Sequence, residues 1–495
     1  MDNLINYCIL GLYTISLFFI FIFGIGQLYL AIIYSKNTKK TNISVPSNKY
    51  SPENLPFVTI QLPIYNEQYV VERLLERVTE IEYPKNKLEI QLLDDSTDKT
   101  FEIASKKIQS LKAKGFDIQH IRREKREGFK AGALEYGTKT AKGEFIAIFD
   151  ADFLPEKDFL HKTIHYFTDN QIGAVQTRWG HVNRNYSLFT KLQAFGLDAH
   201  FIVEQKGRNI SGNFINFNGT AGIWRKSCID DAGGWQADTL TEDLDLSYRA
   251  QLKGWKFKYL EEVVSPAELP VMMSAIKSQQ FRWNKGGAES ARKHLINLWK
   301  SNISISTKIH GTLHLLNSSI FLSLLVASIL SVPTIWIKYV HPEIEIFFSI
   351  GIIFLISLFS VGYFYWVSIK RIYRNKALPI FLRYFPIFLT LSMGLSLHNG
   401  IAVLEGLLGL KSSFIRTPKF NVRSRKDEIR ANVKQNIYIK TKFSWMNLLE
   451  GLMCLYFLGG LILGIYLLDF GLWFFHSMLF LGYSIVFYKT IEEFF

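Results

Sequence analysis

Cysteine is scarce in this sequence, and its scarcity excludes two classes of fold. Only three cysteines occur in 495 residues, Cys8, Cys228 and Cys454, and no two of them are close together. A scattered odd set fits neither a disulfide framework nor a structural zinc site. A glycine-rich phosphate loop of the GxxxxGK(S/T) type is also missing, which argues against an ordinary ATPase. Internal repeats and low-complexity linkers are missing too.

Acidic residues are outnumbered by basic ones. The chain has 57 lysines and arginines against 43 aspartates and glutamates, which gives a formal net charge of +14. A basic excess is typical of proteins that bind nucleic acid or a membrane surface, and the position of the charges decides between the two. Hydrophobic residues make up 48% of the chain. This composition suits a protein that is partly soluble and partly embedded in a membrane.

Long uncharged stretches predict several membrane-spanning segments. The first, Tyr7–Ile33, contains no charged residue and is long enough to cross a bilayer. A cleaved signal peptide fits it poorly, because a basic start and a small-residue cleavage site are missing. Burial in a soluble core is a poor explanation for five of the six stretches. The other five are Leu315–Trp336, Ile346–Ile369, Tyr384–Leu410, Gly451–Leu468 and Phe470–Tyr488.

Basic residues beside these segments predict their orientation. Lysines or arginines follow the first and third segments, and a long basic stretch, 411–442, follows the fourth. Because positive loops stay in the cytoplasm, the amino terminus is expected outside and the hydrophilic region, about Pro46 to Lys308, in the cytosol. Much of the basic excess then reflects topology and headgroup contact, so no nucleic-acid partner is predicted.

The fourth stretch, Tyr384–Leu410, departs from this charge pattern. Both of its flanks look cytoplasmic, and the stretch contains His398, Asn399 and Glu405. A single crossing would break the charge rule. An interfacial or re-entrant helix is the preferred interpretation, and a tight pair of crossings is the alternative.

The hydrophilic region alternates between apolar strand patterns and amphipathic helix patterns. This alternation indicates a mostly parallel, Rossmann-like α/β sheet, and such sheets bind ligands at the carboxyl ends of their strands. Strands are predicted at Phe57–Tyr65, Leu88–Leu93, Ile118–Ile121 and Phe145–Phe149. Helices are predicted between them at Glu67–Ile81, Thr97–Lys112 and Lys130–Thr140.

Aspartates follow two of these strands. Asp94 and Asp95 end the second strand, and Asp150 and Asp152 end the fourth, in FIAIFDADFLP. Any one of them could be a turn former or a helix cap. Residues two apart on a strand share a face, however, and two close carboxylates repel unless a cation lies between them. Mg²⁺ or Mn²⁺ binds one or two carboxylates plus phosphates, so the second pair predicts a metal–diphosphate site.

Two further motifs are ambiguous when each is taken alone. TLTEDLDLSYRAQLKGWK holds Glu242 and Asp243 at the start of a predicted helix, where acids also favour the helix dipole. SQQFRWNKGG holds Gln279, Arg282 and Trp283 shortly before the next apolar segment. An arginine there can snorkel, and a tryptophan there can anchor at the membrane interface.

Taken in order, these motifs resemble the processive branch of glycosyltransferase family 2, which includes cellulose, chitin and hyaluronan synthases. That branch carries an aspartate after an early strand, then DxD, TED and QxxRW. This sequence reads LLDDSTD, FDADF, TED and QQFRW. With LPIYNE, GFKAG, VQTRW and FNGTAGIWR it most resembles the plant cellulose-synthase-like mannan and glucan synthases and similar bacterial proteins. The resemblance covers about Phe57 to Lys419.

The resemblance implies an architecture as well as an activity. A cytosolic GT-A domain, the α/β fold that binds nucleotide sugars, would pack on transmembrane helices that form a channel. The expected parts are an amino-terminal transmembrane helix at 1–40, the GT-A domain at 46–308 and a multi-pass transmembrane region at 309–495. The last part would contain an interfacial helix and a gating-type loop at 411–442.

The resemblance also implies roles for individual residues. Asp243 would be the general base of an inverting transfer. The rest of the catalytic set would be Glu242, Gln279, Arg282 and Trp283. The nucleotide sugar would be held by Pro63, Tyr65, Glu67, Asp94, Asp95, Lys130, Asp150, Thr417 and Lys419. The acceptor site would be lined by Asn218, Gly219, Thr220 and Trp283. Mg²⁺ or Mn²⁺ would be held by Asp150 and Asp152.

The stretch FIRTPKF, at 414–420, resembles the FxVTxK motif of cellulose synthases, which lies on a loop that closes over the nucleotide sugar. Phe414, Thr417 and Lys419 match this motif, while Arg416 stands in place of the valine. Arg416 could add a phosphate contact where the apolar contact is lost. The alternative is a basic loop that contacts anionic headgroups.

The expected function is transfer from UDP-glucose or GDP-mannose to elongate a β-linked glucan or mannan and move it through the membrane. The alternative is a non-processive lipid glucosyltransferase of the ceramide or diacylglycerol type. The intact motifs disfavour a non-enzymatic scaffold. Expected partners are the donor, the growing glycan and the lipid bilayer, and accessory or export subunits are left open. The expected location is a bacterial cytoplasmic (inner) membrane.

Overall fold

Seven strands form one mixed sheet in the region predicted to be cytosolic. The structure is a computed structural model that describes residues 2–37, 49–342, 355–412, 416–422 and 443–494. The strands are β1 (Val58–Ile64), β2 (Leu88–Asp94), β3 (Asp117–Ile121), β4 (Phe145–Ile148), β5 (Ile172–His181), β6 (Gly222–Arg225) and β7 (Lys256–Ala267). Their order across the sheet is β3-β2-β1-β4-β6-β5-β7. β6 runs antiparallel to β4 and β5, and the other pairings are parallel.

The predicted α/β fold with a mostly parallel sheet is confirmed. The four strands expected from the sequence appear as β1 to β4. Every residue of β2 and β4 is buried; β4 is a continuous apolar run, whereas β2 also contains the polar residues Glu89, Gln91 and Asp94. The fourth strand ends one residue earlier than predicted, at Ile148, and this affects the placement of the aspartates that follow it.

Polar side chains inside β1 and β2 fix the register between these two strands. Thr59 Oγ1 donates to Glu89 Oε2 at 2.7 Å, and Gln61 Nε2 donates to Gln91 Oε1 at 3.1 Å. All four residues are buried, and each pair lies directly opposite in the parallel ladder. A slip of one residue would leave these groups without their partners, so the position of each strand end is fixed as well.

Helices cover the sheet and carry three of the sequence motifs. α4 follows the glycine of GFKAG, α9 begins at the acids of TED, and α10 contains QQFRW. A π-helix at His200–Gln205 joins α6 to α7. The helices in chain order are α1 (Asp2–Asn37), α2 (Val71–Thr79), α3 (Thr100–Ala113), α4 (Phe129–Thr140), α5 (Phe159–Thr163), α6 (Leu188–Ala199), α7 (Lys206–Ile210), α8 (Lys226–Asp231), α9 (Glu242–Leu252), α10 (Met273–Lys300) and α11 (Ile305–Leu315).

The apolar helices are those of a membrane protein. Among the described residues, four helical stretches are long and apolar enough to cross a membrane: Leu4–Asn37, Ser319–Val340, Leu355–Gly394 and Trp445–Tyr466. They overlap the first five predicted segments, although 346–354 of the third lie outside the described residues. The helices after α11 are α12 (Ser319–Val340), α13 (Leu355–Tyr373), α14 (Ala377–Gly394), α15 (Ser396–Leu408), α16 (Trp445–Tyr466) and α17 (Trp473–Glu492).

The fourth predicted segment is not one continuous helix. Leu395 separates α14 from α15, and α15 packs against α10. Asn399 Nδ2 donates to Gln280 Oε1 at 2.7 Å, and Glu405 Oε2 accepts from Lys285 Nζ at 2.8 Å. The polar residues that disturbed the apolar pattern therefore face the helix that carries QQFRW. The interfacial placement of α15 stays a prediction.

Candidate active site

A cavity of about 1320 Å³, counting its part open to solvent, lies at the carboxyl edge of β1 and β4. Its other walls come from α4, α9, α10 and the segment 416–422. It brings together most of the residues predicted to form the site: Pro63, Tyr65, Glu67, Asp95, Lys130, Asp150, Asp152, Asn218, Gly219, Glu242, Asp243, Gln279, Arg282, Trp283, Thr417 and Lys419. Asp94 and Thr220 are not among its lining residues. The roles assigned to these residues stay predictions.

Each aspartate of the DAD turn has a lysine beside it. Because β4 ends at Ile148, Asp150 and Asp152 lie in the turn beyond the strand, and not on the strand itself as predicted. Lys130 Nζ donates to Asp150 Oδ1 at 2.6 Å, and Lys419 Nζ donates to Asp152 Oδ2 at 2.7 Å. Two ammonium groups, one from α4 and one from a distant loop, thus relieve the repulsion between the carboxylates.

The aspartate pair also fits a divalent cation by its donor chemistry. Both side chains offer hard carboxylate oxygens, and Mg²⁺ or Mn²⁺ needs only one or two of them when a diphosphate supplies the rest. Within the described ranges, no group of three or more histidine, cysteine, aspartate or glutamate side chains could hold a metal ion by itself. A metal at this turn would therefore depend on substrate phosphates and compete with Lys419 for Asp152.

The first turn of α9 places two carboxylates in the cavity. Glu242 and Asp243 begin this helix, and Lys130 Nζ lies 3.9 Å from Glu242 Oε1. Burial, reinforced by the neighbouring charge of Glu242, raises the pKa of Asp243 to about 7. Burial also raises the pKa of Glu242, although Lys130 opposes this shift. An acid with a pKa near neutral suits proton transfer, because it can both accept and release a proton at working pH.

Gly219 lets the backbone pass close to these acids. Its φ of +76° lies in the left-handed region that other residues rarely adopt. A Cβ here would lie 3.0 Å from Asp243 Oδ2 and 3.3 Å from Lys130 Nζ. The next residue, Thr220, supports the cavity from behind, since its Oγ1 accepts a hydrogen bond from the Asp150 backbone N–H at 2.9 Å. The FNGTAG stretch therefore contacts both the acids and the DAD turn.

One face of α10 presents three predicted residues to the cavity. Gln279, Arg282 and Trp283 stand at helical positions i, i+3 and i+4, which share a face. Gln280 instead contacts Asn399 of α15. Burial lowers the pKa of Arg282 to about 10, so its guanidinium is still a cation at neutral pH. The helix thus places a fixed positive charge and an indole ring side by side in the cavity.

Trp179 is an aromatic residue of the cavity that the sequence reasoning missed. Its ring centroid lies 6.5 Å from that of Trp283. Its indole nitrogen is buried and has no hydrogen-bond partner in the part of the chain that the structure describes. Buried indole N–H groups usually find a partner, so this unpaired nitrogen stands out among the aromatic residues that line the cavity. The available signal was its place in VQTRW, a stretch that carries the family resemblance.

One end of the cavity is built around Tyr65 and Asp95. The Arg126 guanidinium lies 3.4 Å from the centroid of the Tyr65 ring, and Arg123 Nε donates to Asp95 Oδ1 at 3.0 Å. Neither arginine is predicted from the sequence, although the basic stretch RREKREGFK before α4 contains both. An aromatic ring stacked with arginine and flanked by cations can hold a nucleobase and its phosphates.

Asp94 does not reach the cavity, in contrast to the prediction. It is 1% exposed, its Oδ1 accepts from the Ser96 backbone N–H at 2.8 Å, and its Oδ2 lies 2.8 Å from His120 Nε2. Burial works to raise the pKa of Asp94, but the hydrogen bonds from His120 and Ser96 outweigh it and hold the pKa below its ordinary value. Successive residues of a strand point to opposite faces, which separates Asp94 from Asp95.

The segment 416–422 is held over the cavity by side-chain contacts. Arg416 makes a two-point pair with Glu67, Nε to Oε1 at 2.8 Å and Nη2 to Oε2 at 2.6 Å. Burial raises the pKa of Glu67 to about 7, with Arg416 opposing the shift. Thr417 Oγ1 accepts from Arg282 Nη2 at 3.1 Å. Arg416 therefore contacts a carboxylate here, and Phe414 of the predicted motif lies outside the described residues.

Comparisons with known proteins point in the same direction as this geometry. Residues 56–286 match the protein family described as glycosyltransferase like family 2. The chain is 37% identical over 362 residues to probable glucomannan 4-beta-mannosyltransferase 4 of Oryza sativa subsp. japonica. The aligned region covers 71% of this chain and 63% of the relative. It is 37% identical over 316 residues to glucomannan 4-beta-mannosyltransferase 7 of Arabidopsis thaliana, covering 62% and 56%. The chain thus spans somewhat more than half the length of these curated relatives.

The fold is also similar to that of a solved structure. That structure is the mannosyltransferase PcManGT from Pyrobaculum calidifontis in complex with GDP-Man and Mn²⁺. The TM-score is 0.51 at 18% sequence identity, and the match covers 73% of this chain and 99% of that one. At this identity the likeness concerns the fold alone, and it confirms the GT-A type of sheet expected from the sequence.

Proposed function

Because this chain belongs to glycosyltransferase-like family 2, we propose that it is an inverting hexosyltransferase that elongates a β-linked polysaccharide from a nucleotide sugar. One observation carries the proposal. A half-buried acid with a pKa of about 7, Asp243, shares one cavity with the cations Lys130 and Arg282 and with the carboxylates of the DAD turn. This arrangement supports a proton acceptor beside a site for a departing diphosphate.

Asp243 is the general base in this proposal. Its Oδ1 accepts a hydrogen bond from the Leu244 N–H at 2.8 Å, and its Oδ2 lies on the side of Gly219. The oxygen of an acceptor hydroxyl bonds to the anomeric carbon as the bond from that carbon to the diphosphate oxygen breaks. The hydroxyl proton passes to Asp243, which adds roughly 10²–10⁴-fold to the rate. A single displacement of this kind inverts the anomeric configuration.

Fixed cations stabilise the departing diphosphate. Lys130 is buried, and although burial lowers its pKa, the carboxylates of Asp150 and Glu242 outweigh that effect and raise it, so the ammonium stays charged. Arg282 adds a second cation from α10. Positive groups held in place before the reaction stabilise charge as it develops, which is usually the largest electrostatic contribution to catalysis. Lys419 and Arg416 can add to this charge when they leave their present carboxylates.

A divalent cation is part of the proposal at Asp150 and Asp152. When bound, Mg²⁺ or Mn²⁺ would supply additional neutralisation of the diphosphate charge. The two carboxylates fit such an ion, and their present lysine partners show that the turn needs positive charge. Asp152 can bind a metal once Lys419 moves to the phosphates, which would link the segment 416–422 to donor binding.

The acceptor sugar is proposed to lie between Trp283 and Trp179. Both indoles line the cavity beside Asn218 and Gly219, at the end where Asp243 lies. An aromatic face suits the apolar C–H face of a pyranose, and both indole rings belong to the cavity lining. This placement brings an acceptor hydroxyl close to the proposed base.

The names of the relatives favour a mannose donor, because both are glucomannan 4-beta-mannosyltransferases. We therefore propose GDP-mannose first and UDP-glucose second, with a β-mannan or β-glucan product. Passage of the product through the membrane is a further proposal, which the apolar helices support. Transfer of a single sugar to a ceramide or diacylglycerol is the alternative function.

The membrane arrangement is proposed from charge and helix length. The catalytic domain at 46–308 would face the cytosol, between a helix at 1–40 and a multi-pass region at 309–495. The finer expectation of a bacterial inner membrane gains no support from the relatives reported above, which are plant proteins. We propose only a membrane with nucleotide sugar on the side of the catalytic domain.

The test is a transfer assay with the purified full chain in lipid nanodiscs. Radiolabelled GDP-mannose and UDP-glucose are supplied in parallel with Mg²⁺ or Mn²⁺, and products are separated into alkali-insoluble polymer, soluble oligomer and lipid extract. Polymer from GDP-mannose that a β-mannanase degrades is the expected result. Label found only as a single sugar on lipid would favour the alternative, and the absence of transfer from either donor would contradict the proposal.

A further inference from the structure

A second cavity lies between the cytosolic domain and the helices α13 and α14. It measures about 520 Å³ counting its open part. Arg184 and Lys191 line one side, and Tyr373 and Tyr384 line the side of the membrane helices. Phe195 adds an apolar wall, as part of a buried aromatic cluster. The cavity shares no lining residue with the catalytic cavity.

Lys191 supplies the uncompensated charge of this cavity. Arg184 donates to both carboxylate oxygens of Asp198, at 2.6 and 2.9 Å, so its charge is largely neutralised. The Lys191 ammonium has no hydrogen bond or ion pair within the ranges of the chain described above. A cation beside aromatic walls and phenol hydroxyls can recognise a phosphate, since it supplies the charge and the hydroxyls supply donors.

The rim of this cavity is basic and apolar at once. The stretch from Ile369 to Asn399 contains five lysines or arginines and no aspartate or glutamate. On α14, Leu378 and Leu382 lie one helical turn apart and are 55% and 62% exposed. Cations beside exposed leucines at the end of a membrane helix are typical of a surface that contacts both headgroups and acyl chains.

We propose that this cavity binds the phosphate-bearing headgroup of an anionic phospholipid. Lys191 and the tyrosine hydroxyls would contact the phosphate, and the apolar lining residues Phe195 and Ile380 would contact the acyl chains. Inorganic phosphate has the same charge chemistry but no chains, so the position of the cavity beside the apolar helices α13 and α14 favours the lipid. The inference does not rest on the proposed enzymatic function, because it uses no residue of the catalytic cavity.

The experiment measures which lipids the full chain retains. The protein is reconstituted in nanodiscs of equal parts phosphatidylglycerol and phosphatidylcholine, transferred to mild detergent, and examined by native mass spectrometry. We expect wild type to retain phosphatidylglycerol in preference to phosphatidylcholine. Near a membrane surface each basic residue contributes about 1 kcal/mol to binding an anionic lipid. Retention should therefore fall about fivefold in Lys191→Gln and about twenty-fivefold in Lys191→Glu.

Matched variants separate charge at the cavity from general effects. Lys106→Glu makes the same charge change at an exposed position of α3 and should retain the lipid as wild type does, as should Lys191→Arg. If Lys191→Glu fails to fold, the retention of phosphatidylglycerol by Lys191→Gln tests the proposal instead. Unchanged retention in the Lys191 variants, or equal retention of the two lipids, would overturn the proposal. Complete displacement of the lipid by millimolar inorganic phosphate would show a free-phosphate site instead.

Discussion

Two turns at the carboxyl edge of the sheet each carry two aspartates, and the structure uses them differently. After β2, Asp94 is buried inside the domain and only Asp95 lines the catalytic cavity. After β4, Asp150 and Asp152 both line it. Adjacent positions on an extended chain diverge, whereas the turn beyond β4 brings both of its aspartates to the cavity. The two turns therefore differ: Asp94 is a supporting acid inside the domain, whereas Asp150 and Asp152 form a pair that can act together.

The partners of these acids differ as much as their positions. Arg123 binds both oxygens of Asp95 and also donates to the backbone carbonyls of Glu127 and Phe129, which makes it a fixed part of the wall. Asp150 and Asp152 instead pair with lysines. A lysine ammonium is a point charge on a flexible stem, so it is exchanged for another cation more readily than a bidentate arginine. The turn after β4 is thus the one suited to take up metal and diphosphate.

Among the four aspartates of these two turns, the largest effect is expected from Asp152→Asn. The variant keeps the shape of the side chain but removes the charge that would hold a metal, so turnover should fall about 10²–10³-fold. The metal concentration that gives half-maximal activity should rise as well. The control is Asp117→Asn, at the opposite end of β3, which should leave turnover unchanged. Steady-state assays over a Mn²⁺ titration measure turnover and the metal concentration for half-maximal activity. Full activity of the variant without added metal would remove the distinction between the two turns.

A smaller effect is expected from Asp95→Asn. The change loosens Arg123, which holds Asp95 at the edge of the cavity, and the loss of a hydrogen bond to a charged group costs about 1.5–3 kcal/mol. KM for the nucleotide sugar should therefore rise at least tenfold, while kcat should change little. A fall in kcat comparable to that of Asp152→Asn, at unchanged KM, would place Asp95 with the reacting groups instead of the wall.

The smallest effect on catalysis is expected from Asp94→Asn. This residue does not line the cavity, so kcat and KM should stay within about twofold of wild type. Loss of the charged partner of His120 should instead lower stability by about 1–3 kcal/mol. Thermal unfolding in detergent, compared with Asp117→Asn, measures this difference. Strong loss of turnover without a loss of stability would contradict the supporting role.

Local patterns predict much of this molecule. The buried runs of β2 and β4 indicate both the parallel sheet and the place where its acids emerge. The divergence of Asp94 and Asp95 follows from strand alternation, although the sequence reasoning grouped the two residues. The break at Leu395 also had a local signal, since Gly394 precedes it inside an otherwise apolar run.

Contacts between distant parts of the chain could not be predicted. The pairs Lys419–Asp152 and Arg416–Glu67 join a loop after the apolar helices to two separate strand ends. No spacing or periodicity encodes such pairs, because they depend on how the domain and the helices pack. Both Lys130 and Lys419 were predicted as site residues, but their ion pairs with the DAD turn were not predicted.

The central claim is that Asp243 accepts the proton of the acceptor hydroxyl. Its test compares wild type with Asp243→Asn, which keeps the shape of the side chain but cannot accept a proton. Donor affinity is measured by calorimetry with the unreactive nucleoside diphosphate, and transfer by single-turnover kinetics. We expect affinity to stay within about threefold while transfer falls by roughly 10²–10⁴-fold.

The pH dependence sharpens this one measurement. A carboxylate with a pKa of about 7 is protonated and inactive as a base below that pH, so wild-type transfer should rise as the pH increases from 6 to 8. The residual transfer of Asp243→Asn should lack this rise. Transfer by the variant at the wild-type rate, with the same dependence on pH, would contradict the account.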